Sequence, residues 1–97
     1  MRAYEVTYII DPQLEDEQID AAVEQLNQVI TANGGEVGEI DKWGKRRLAY
    51  EVAEKNEGYY VVVTFDGENN TLDELDRFLK LNENYIRHII IRRDSEG

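Results

Sequence analysis

Four of the eleven basic residues of the chain stand within six positions, in the run Lys42-Trp43-Gly44-Lys45-Arg46-Arg47. Cationic side chains bind the phosphates of a nucleic acid, and exposed aromatic rings stack on unpaired bases. Trp43 and Tyr50 bracket three of these four cations, so the composition of the run favours a nucleic-acid contact. A hairpin arm that carries charges only to protect its exposed edge has the same composition, and this alternative stays open.

Other chemistries find little support in the sequence. The chain has no cysteine, and its one histidine, His88, stands between Arg87 and an isoleucine run, where a packing or surface role is expected. The segment 11–15 holds a proline, two acids and no glycine, so it would repel a phosphate. The remaining paired carboxylates fall on or beside predicted helices and read as a solvated face. We therefore predict no enzyme activity, no metal, no cofactor and no small-molecule substrate.

Composition limits the class of protein further. Ninety-seven residues with 41% hydrophobic content suit one domain, which we place at residues 1–93, with 94–97 as a flexible tail. The sequence lacks a signal peptide and a membrane-length apolar run, and the absence of cysteine fits a reducing compartment, so we expect a cytoplasmic protein without membrane contact. The formal charge of −10 repels nucleic acid. Any nucleic-acid contact must therefore use a local basic patch or a basic partner.

Hydrophobic periodicity predicts six elements. Alternating apolar residues predict a first strand over 4–10, and a stripe with helical spacing predicts a helix over 15–33 that ends at Asn33-Gly34-Gly35. A long extended stretch over 36–53 and a turn over 54–58 precede a strand over 59–66. Thr71 and Glu74 match a capping box that begins the second helix, and a last strand covers 86–91.

The order β-α-β-β-α-β predicts an α+β, ferredoxin-like split βαβ fold, in which a four-stranded antiparallel sheet carries both helices on one face. In this arrangement we expect the first and fourth strands not to be neighbours. The other face of the sheet stays open and apolar, with Ile9, Tyr60 and Val62, which invites a partner. Small-molecule-sensing regulatory domains share this fold, and Asn33-Gly34-Gly35 is the only loop that suits such a site, although helix capping is the simpler explanation of it.

Trp43-Gly44-Lys45-Arg46-Arg47-Leu48-Ala49-Tyr50-Glu51-Val52 resembles the signature of the bacterial small-subunit ribosomal protein S6 family. The segments 1–5, 8–12, 56–60 and 85–88 are similar to the first, third and fourth strands of that family. The resemblance spans essentially the whole chain without an insertion.

The resemblance implies a structural constituent of the small ribosomal subunit, which binds the central domain of small-subunit rRNA as a heterodimer with the basic ribosomal protein S18. Such a partner would reconcile the charge of −10 with RNA binding. We expect the RNA to be contacted by Arg2, Lys42, Trp43, Lys45, Arg46, Arg47, Arg87 and Arg92. We expect the partner protein to be contacted by Ile9, Tyr60 and Val62.

Overall fold

The computed structural model describes residues 1–52 and 55–93, so the predicted tail over 94–97 lies outside the described residues. The elements follow the predicted order and are β1 (Arg2–Ile10), α1 (Asp16–Ala32), β2 (Glu36–Val52), β3 (Lys55–Gly67), α2 (Asn69–Leu81) and β4 (Tyr85–Arg92). Both helices pack on one face of a single four-stranded antiparallel sheet. The predicted ferredoxin-like fold is confirmed.

The strands stand in the order β2-β3-β1-β4, which places β1 between β3 and β4. The expectation that the first and fourth strands are not neighbours is wrong. The reason lies in the two helical connections, each of which crosses over one strand. The connection through α1 carries the chain from β1 past β3 to β2, and the connection through α2 carries it from β3 past β1 to β4.

The hydrophobic core lies between the helices and one face of the two central strands. Alternate residues of β1 and β3 meet apolar stripes of both helices, and the core comprises Tyr4, Val6, Tyr8, Ile10, Ile19, Ala22, Val23, Leu26, Ile30, Val61, Val63, Phe65, Leu75, Leu79 and Tyr85. The Tyr85 hydroxyl donates a hydrogen bond to the carbonyl of Ala22 and so ties β4 to α1. Burial raises the pKa of Tyr85 to about 12.

Helix α2 begins earlier than the capping pattern predicts. Its N-cap is Glu68, whose carboxylate accepts from the backbone of Thr71, while the Thr71 hydroxyl accepts from the Glu68 backbone at 3.0 Å. Thr71 is fully buried and also donates to the carbonyl of Asn33 at 2.8 Å. The predicted pair of Thr71 and Glu74 is wrong because Thr71 occupies the third helical position, where it joins the start of α2 to the end of α1.

Strands β2 and β3 are longer than the rest of the sheet and form a two-stranded arm. Pairing of β1 with β3 ends at Ile10 and Tyr59, whereas pairing of β2 with β3 continues through Arg46 and Arg47. β3 begins at Lys55, so most of the predicted turn over 54–58 is strand. The arm therefore carries part of the basic run beyond the end of β1.

Candidate nucleic-acid and partner interface

The strand register decides which face of the sheet each candidate residue occupies, because directly opposed residues of an antiparallel pair point to the same face. Residues opposite the buried members of β1 and β3 face the helices, and the alternate residues face away from them. We call the second side the outer face. One row of residues crosses the outer face from β2 to β4 and consists of Gly44, Tyr60, Ile9 and Arg87.

A β-bulge reverses the direction of the basic residues that follow it in β2. Lys42 lies opposite the buried Val61 and so faces the helices, where its Nζ is 3.0 Å from Oδ1 of Asp20 on α1. The next register step pairs Gly44 with Tyr60, and Gly44 has a φ of 86° that favours glycine. One extra residue is thereby inserted in β2, which changes the alternation beyond it.

Beyond the bulge, the three consecutive cations alternate in direction. Arg46 lies opposite Gly58 and points to the outer face, whereas Lys45 and Arg47 lie opposite Tyr59 and Glu57 and point to the other side. All three are exposed. The basic run is therefore a charged rim on both sides of the arm and not one flat patch.

Trp43 is held over the outer face by three contacts. Its ring stacks on Tyr60 with 6.2 Å between centroids and 13° between planes. Its indole Nε1 donates to Oδ2 of Asp41 at 2.9 Å, and the guanidinium of Arg46 lies 5.8 Å from the ring centroid. Trp43 nevertheless stays 47% exposed. The predicted RNA-contacting tryptophan is thus oriented and still accessible.

Ile9 lies on the outer face as predicted, but it is only 7% exposed. A Cβ atom added to Gly58 would stand 2.1 Å from Cγ2 of Ile9 and 3.6 Å from Cδ2 of Leu48. Ile9 and Leu48 therefore meet above Gly58, where only a glycine leaves them room. Ile9 is thus covered by the arm, which no local pattern indicates because Leu48 is far from Ile9 along the chain.

Apart from Trp43, the accessible apolar surface of the outer face lies on β3 and β4. Ile89 and Ile91 are 59% and 50% exposed and lie opposite Thr7 and Glu5 of β1. Thr7 in turn pairs with Val62 of β3, which is half-buried. We call Thr7, Val62, Ile89 and Ile91 the aliphatic strip. The isoleucines of the last strand predict an apolar strand. Because three of them are consecutive, only the register shows that Ile89 and Ile91 face outward and that Ile90 does not.

Two of the candidate cations, Arg2 and Arg92, occupy the opposite end of the sheet. Arg2 lies opposite Gly67 and Arg92 opposite Tyr4. Gly58, the neighbour of Arg46, and Gly67 are separated by nine residues of one strand, or about 30 Å. Of the eight predicted RNA contacts, the structure therefore brings Trp43, Lys45, Arg46 and Arg47 together and separates Arg2 and Arg92 from them.

The helical layer is acidic. Helix α1 has no basic residue, and its acids are Asp16, Glu17, Asp20 and Glu24. On α2, Asp76 accepts from Nζ of Lys80 and lies near Nε2 of His88 on β4, each at 2.8 Å, and these hydrogen bonds hold the pKa of Asp76 below its ordinary value. His88 thus has a packing role between a helix and the sheet, as the sequence predicts.

The described part of the chain holds neither a metal-binding cluster nor a membrane-spanning helix. Within residues 1–52 and 55–93, no three His, Cys, Asp or Glu side chains converge in a group that could hold a metal ion. Neither helix of that part has the length and hydropathy that a membrane span requires.

Known proteins resemble this chain in both sequence and fold. A family model described as ribosomal protein S6 matches residues 3–92. Small ribosomal subunit protein bS6 of Carboxydothermus hydrogenoformans is 47% identical over 95 residues, which cover 98% of this chain and 99% of that protein. The bS6 protein of Natranaerobius thermophilus is 50% identical over 95 residues, with 98% and 99% coverage.

Solved structures agree with the sequence comparison. The crystal structure of 30S ribosomal protein S6 from Thermotoga maritima superposes with a TM-score of 0.93 at 31% identity and covers 98% of this chain and 90% of that chain. The C-terminal domain of the MgtC protein from Mycobacterium tuberculosis has a TM-score of 0.59 at 13% identity, covering 100% of this chain and 93% of that chain. The second likeness extends to the fold alone.

Proposed function

The chain belongs to the ribosomal protein S6 family, and from that premise we propose that it binds the central domain of small-subunit rRNA as a heterodimer with the basic protein S18. Its place would be the small subunit of cytoplasmic ribosomes. The family resemblance predicted from the signature around Trp43 is confirmed. Membership of a ribosomal protein family also confirms the prediction that the chain is not an enzyme.

The observation that carries the proposal is the separation of charge between the layers of the molecule. The formal charge is −10, and every charged residue of α1 is acidic. The cations, in contrast, concentrate on the strands. Affinity for a nucleic acid comes mainly from cations that displace counterions at phosphates. An acidic protein with cationic strand ends can approach RNA along those ends while its helices face away.

The arm is the principal RNA contact in this proposal. Lys45, Arg46 and Arg47 are exposed on both sides of a two-stranded ribbon, which can track a phosphate backbone from either side. Arg87 lies on the same outer row as Tyr60 and supplies a further cation on β4. Lys42 contributes less, because its ammonium group already pairs with Asp20 at 3.0 Å.

The second cationic group is a separate contact. Arg2 and Arg92 lie about 30 Å from the arm, so one short RNA segment does not reach both groups. We assign them to a different stretch of the folded rRNA.

The partner protein would cover the aliphatic strip. Ile89 and Ile91 are the largest exposed apolar side chains of the described outer face apart from Trp43, and Glu5 lies directly opposite Ile91. An apolar strip bordered by a carboxylate suits a basic protein, since burial of the isoleucines supplies affinity and the charge favours the cationic partner. Of the predicted partner contacts, Val62 belongs to the strip, Tyr60 borders Trp43, and Ile9 is covered by the arm.

Reconstitution tests the proposal directly. The chain, S18 and a transcript of the central domain are mixed alone and in combination, and RNA affinity is measured over a range of salt concentrations. We expect the heterodimer to bind with a steep salt dependence and the isolated chain to bind much more weakly. Equal RNA affinity with and without S18 contradicts the heterodimer mechanism.

The small-molecule-sensing alternative has no favouring observation. The candidate loop, Asn33-Gly34-Gly35, has a structural role instead. Gly34 follows the end of α1 with a φ of 85°, and Gly35 is buried against Ile30 and Thr71. The loop thus joins the two helices and leaves no room for a ligand at Gly35.

A further inference from the structure

We propose that the exposed side of Trp43 stacks on a single unpaired nucleobase of the RNA, with Arg46 bound to a phosphate beside it. This inference rests on the proposed function and specifies which part of the RNA Trp43 contacts. Charge contact alone requires no aromatic ring on the arm, so the presence of an oriented and accessible tryptophan there needs a separate explanation.

The geometry suits a stacking contact. Tyr60 supports the ring of Trp43 from below, at 6.2 Å between centroids and nearly parallel. The hydrogen bond from Nε1 to Asp41, at 2.9 Å, fixes the rotation of the indole and satisfies its only polar group. These two contacts order the ring before a base arrives, so little conformational entropy is lost on binding. With 47% of Trp43 exposed, the ring remains accessible to that base.

The bulge at Gly44 places Arg46 beside the tryptophan. In an unbulged strand Trp43 would lie opposite Tyr60 and Arg46 would point to the same side as Lys42, whereas here Gly44 takes the place opposite Tyr60 and Arg46 points to the outer face. The left-handed conformation of Gly44 allows this bend, and no atom lies within 4 Å of a Cβ at that position. The bulge thus brings a cation and an aromatic ring together on one face of the arm.

The position of Arg46 favours RNA over a protein as the occupant. Its guanidinium lies 5.8 Å from the centre of the Trp43 ring, and its Nε donates to the Trp43 carbonyl at a long 3.4 Å. So weak a contact can be exchanged for a phosphate at little cost. Lys45 and Arg47 flank Arg46 on the opposite side of the same arm, so the net charge of the segment stays positive despite the carboxylate of Asp41.

The test compares four complexes of the full chain with S18 on the central-domain transcript: wild type, Trp43→Leu, Trp43→Phe and Arg46→Gln. Loss of one stacked base lowers affinity about 5- to 150-fold. We therefore expect that loss for Trp43→Leu with an unchanged salt slope, because stacking releases no counterions, and a smaller loss for Trp43→Phe. We expect Arg46→Gln to lower the salt slope by about 0.7 to 0.9.

The outcomes separate the alternatives. Unchanged RNA affinity of the Trp43→Leu complex overturns the stacking inference and leaves the proposed function intact. Lost affinity for S18, measured without RNA, shows that Trp43 contacts the protein and also overturns the inference. Failure of the wild-type complex to bind the transcript overturns both the inference and the proposed function. Thermal unfolding of each variant checks that the arm and core stay folded.

Discussion

Arg87 on β4 lies directly opposite Ile9 on β1. This pairing places Arg87 in the outer row that also contains Tyr60 and Gly44, three strand spacings or about 14 Å from the backbone of the arm. The last strand and the arm therefore present cations to one side of the molecule, although 40 residues separate Arg47 from Arg87 in the sequence.

The first prediction concerns these outer-face cations. The double variant Arg46→Ala with Arg87→Ala should lower the salt slope of RNA binding by the heterodimer by about 1.4 to 1.8, at 0.7 to 0.9 for each lost phosphate contact. The matched control, Arg77→Ala with Lys80→Ala, removes the same charge from α2 and should leave the slope nearly unchanged. Equal slopes for the two double variants contradict the assignment of the RNA-binding face.

The second prediction concerns the aliphatic strip. Ile89→Glu places a charge where S18 is proposed to bury an isoleucine, so it should weaken heterodimer formation at least tenfold, as measured by titration calorimetry. Its effect on thermal unfolding should be small, because Ile89 is 59% exposed. Ile40→Glu is the control, since Ile40 is 44% exposed but lies opposite the core residue Val63 on the helix face. If both variants bind S18 alike, the partner uses another surface.

The third prediction concerns the close approach of the arm to β1. Gly58→Ala should lower the free energy of unfolding by about 1–3 kcal/mol, because the new methyl group would overlap Cγ2 of the stiff, β-branched Ile9. In an Ile9→Ala background the same substitution should have almost no effect. Denaturant unfolding of the four proteins in this cycle gives the coupling energy, and additive losses would mean that Ile9 and Gly58 do not touch.

The fourth prediction concerns pH. Hydrogen bonds first from Lys80 and then from His88 lower the pKa of Asp76 below its ordinary 3.8. The native state therefore holds this proton less tightly than the unfolded chain, and the contribution of Asp76 is present above pH 3.8 and lost as the pH falls through the native pKa. Because the side chains of Asp76 and Lys80 are 40% and 67% exposed, solvent screens their interaction and we expect a contribution of about 0.2–1 kcal/mol.

Chemical denaturation of wild type and Asp76→Asn between pH 7 and pH 2 measures this contribution. The difference in unfolding free energy should be largest near neutral pH and should shrink at the acid end. A difference that is independent of pH contradicts a role for the ionised carboxylate of Asp76.

Local patterns were sufficient for most of the fold. The alternation from Tyr4 to Ile10 determines a strand with one buried face, and the stripe from Ile19 to Ile30 determines an amphipathic helix. These elements bury the residues that their spacing predicts, because period and burial are set by the same backbone geometry. The start of α2 was misplaced, since Asn69 and Asn70 carry no apolar signal and Thr71 binds a residue of the other helix.

The candidate site depends more on contacts between distant segments. Nothing in the sequence near Ile9 shows that Leu48 covers it. Likewise, only the register with β3 reveals the bulge that makes Lys42 and Arg46 point to opposite sides. The separation of Arg2 from the arm likewise follows from strand order. The residue types of the site could be predicted, but their grouping required the tertiary structure.

The acidic helices and the cationic strand ends also give the molecule a permanent electric dipole, whose negative side is the helical layer. Before any contact forms, the field of a polyanion exerts a torque on such a dipole and rotates the helices away from the nucleic acid. The protein is thereby oriented during its approach. At physiological ionic strength this guidance acts only within about 8 Å, so it shapes the final encounter and not the long-range search.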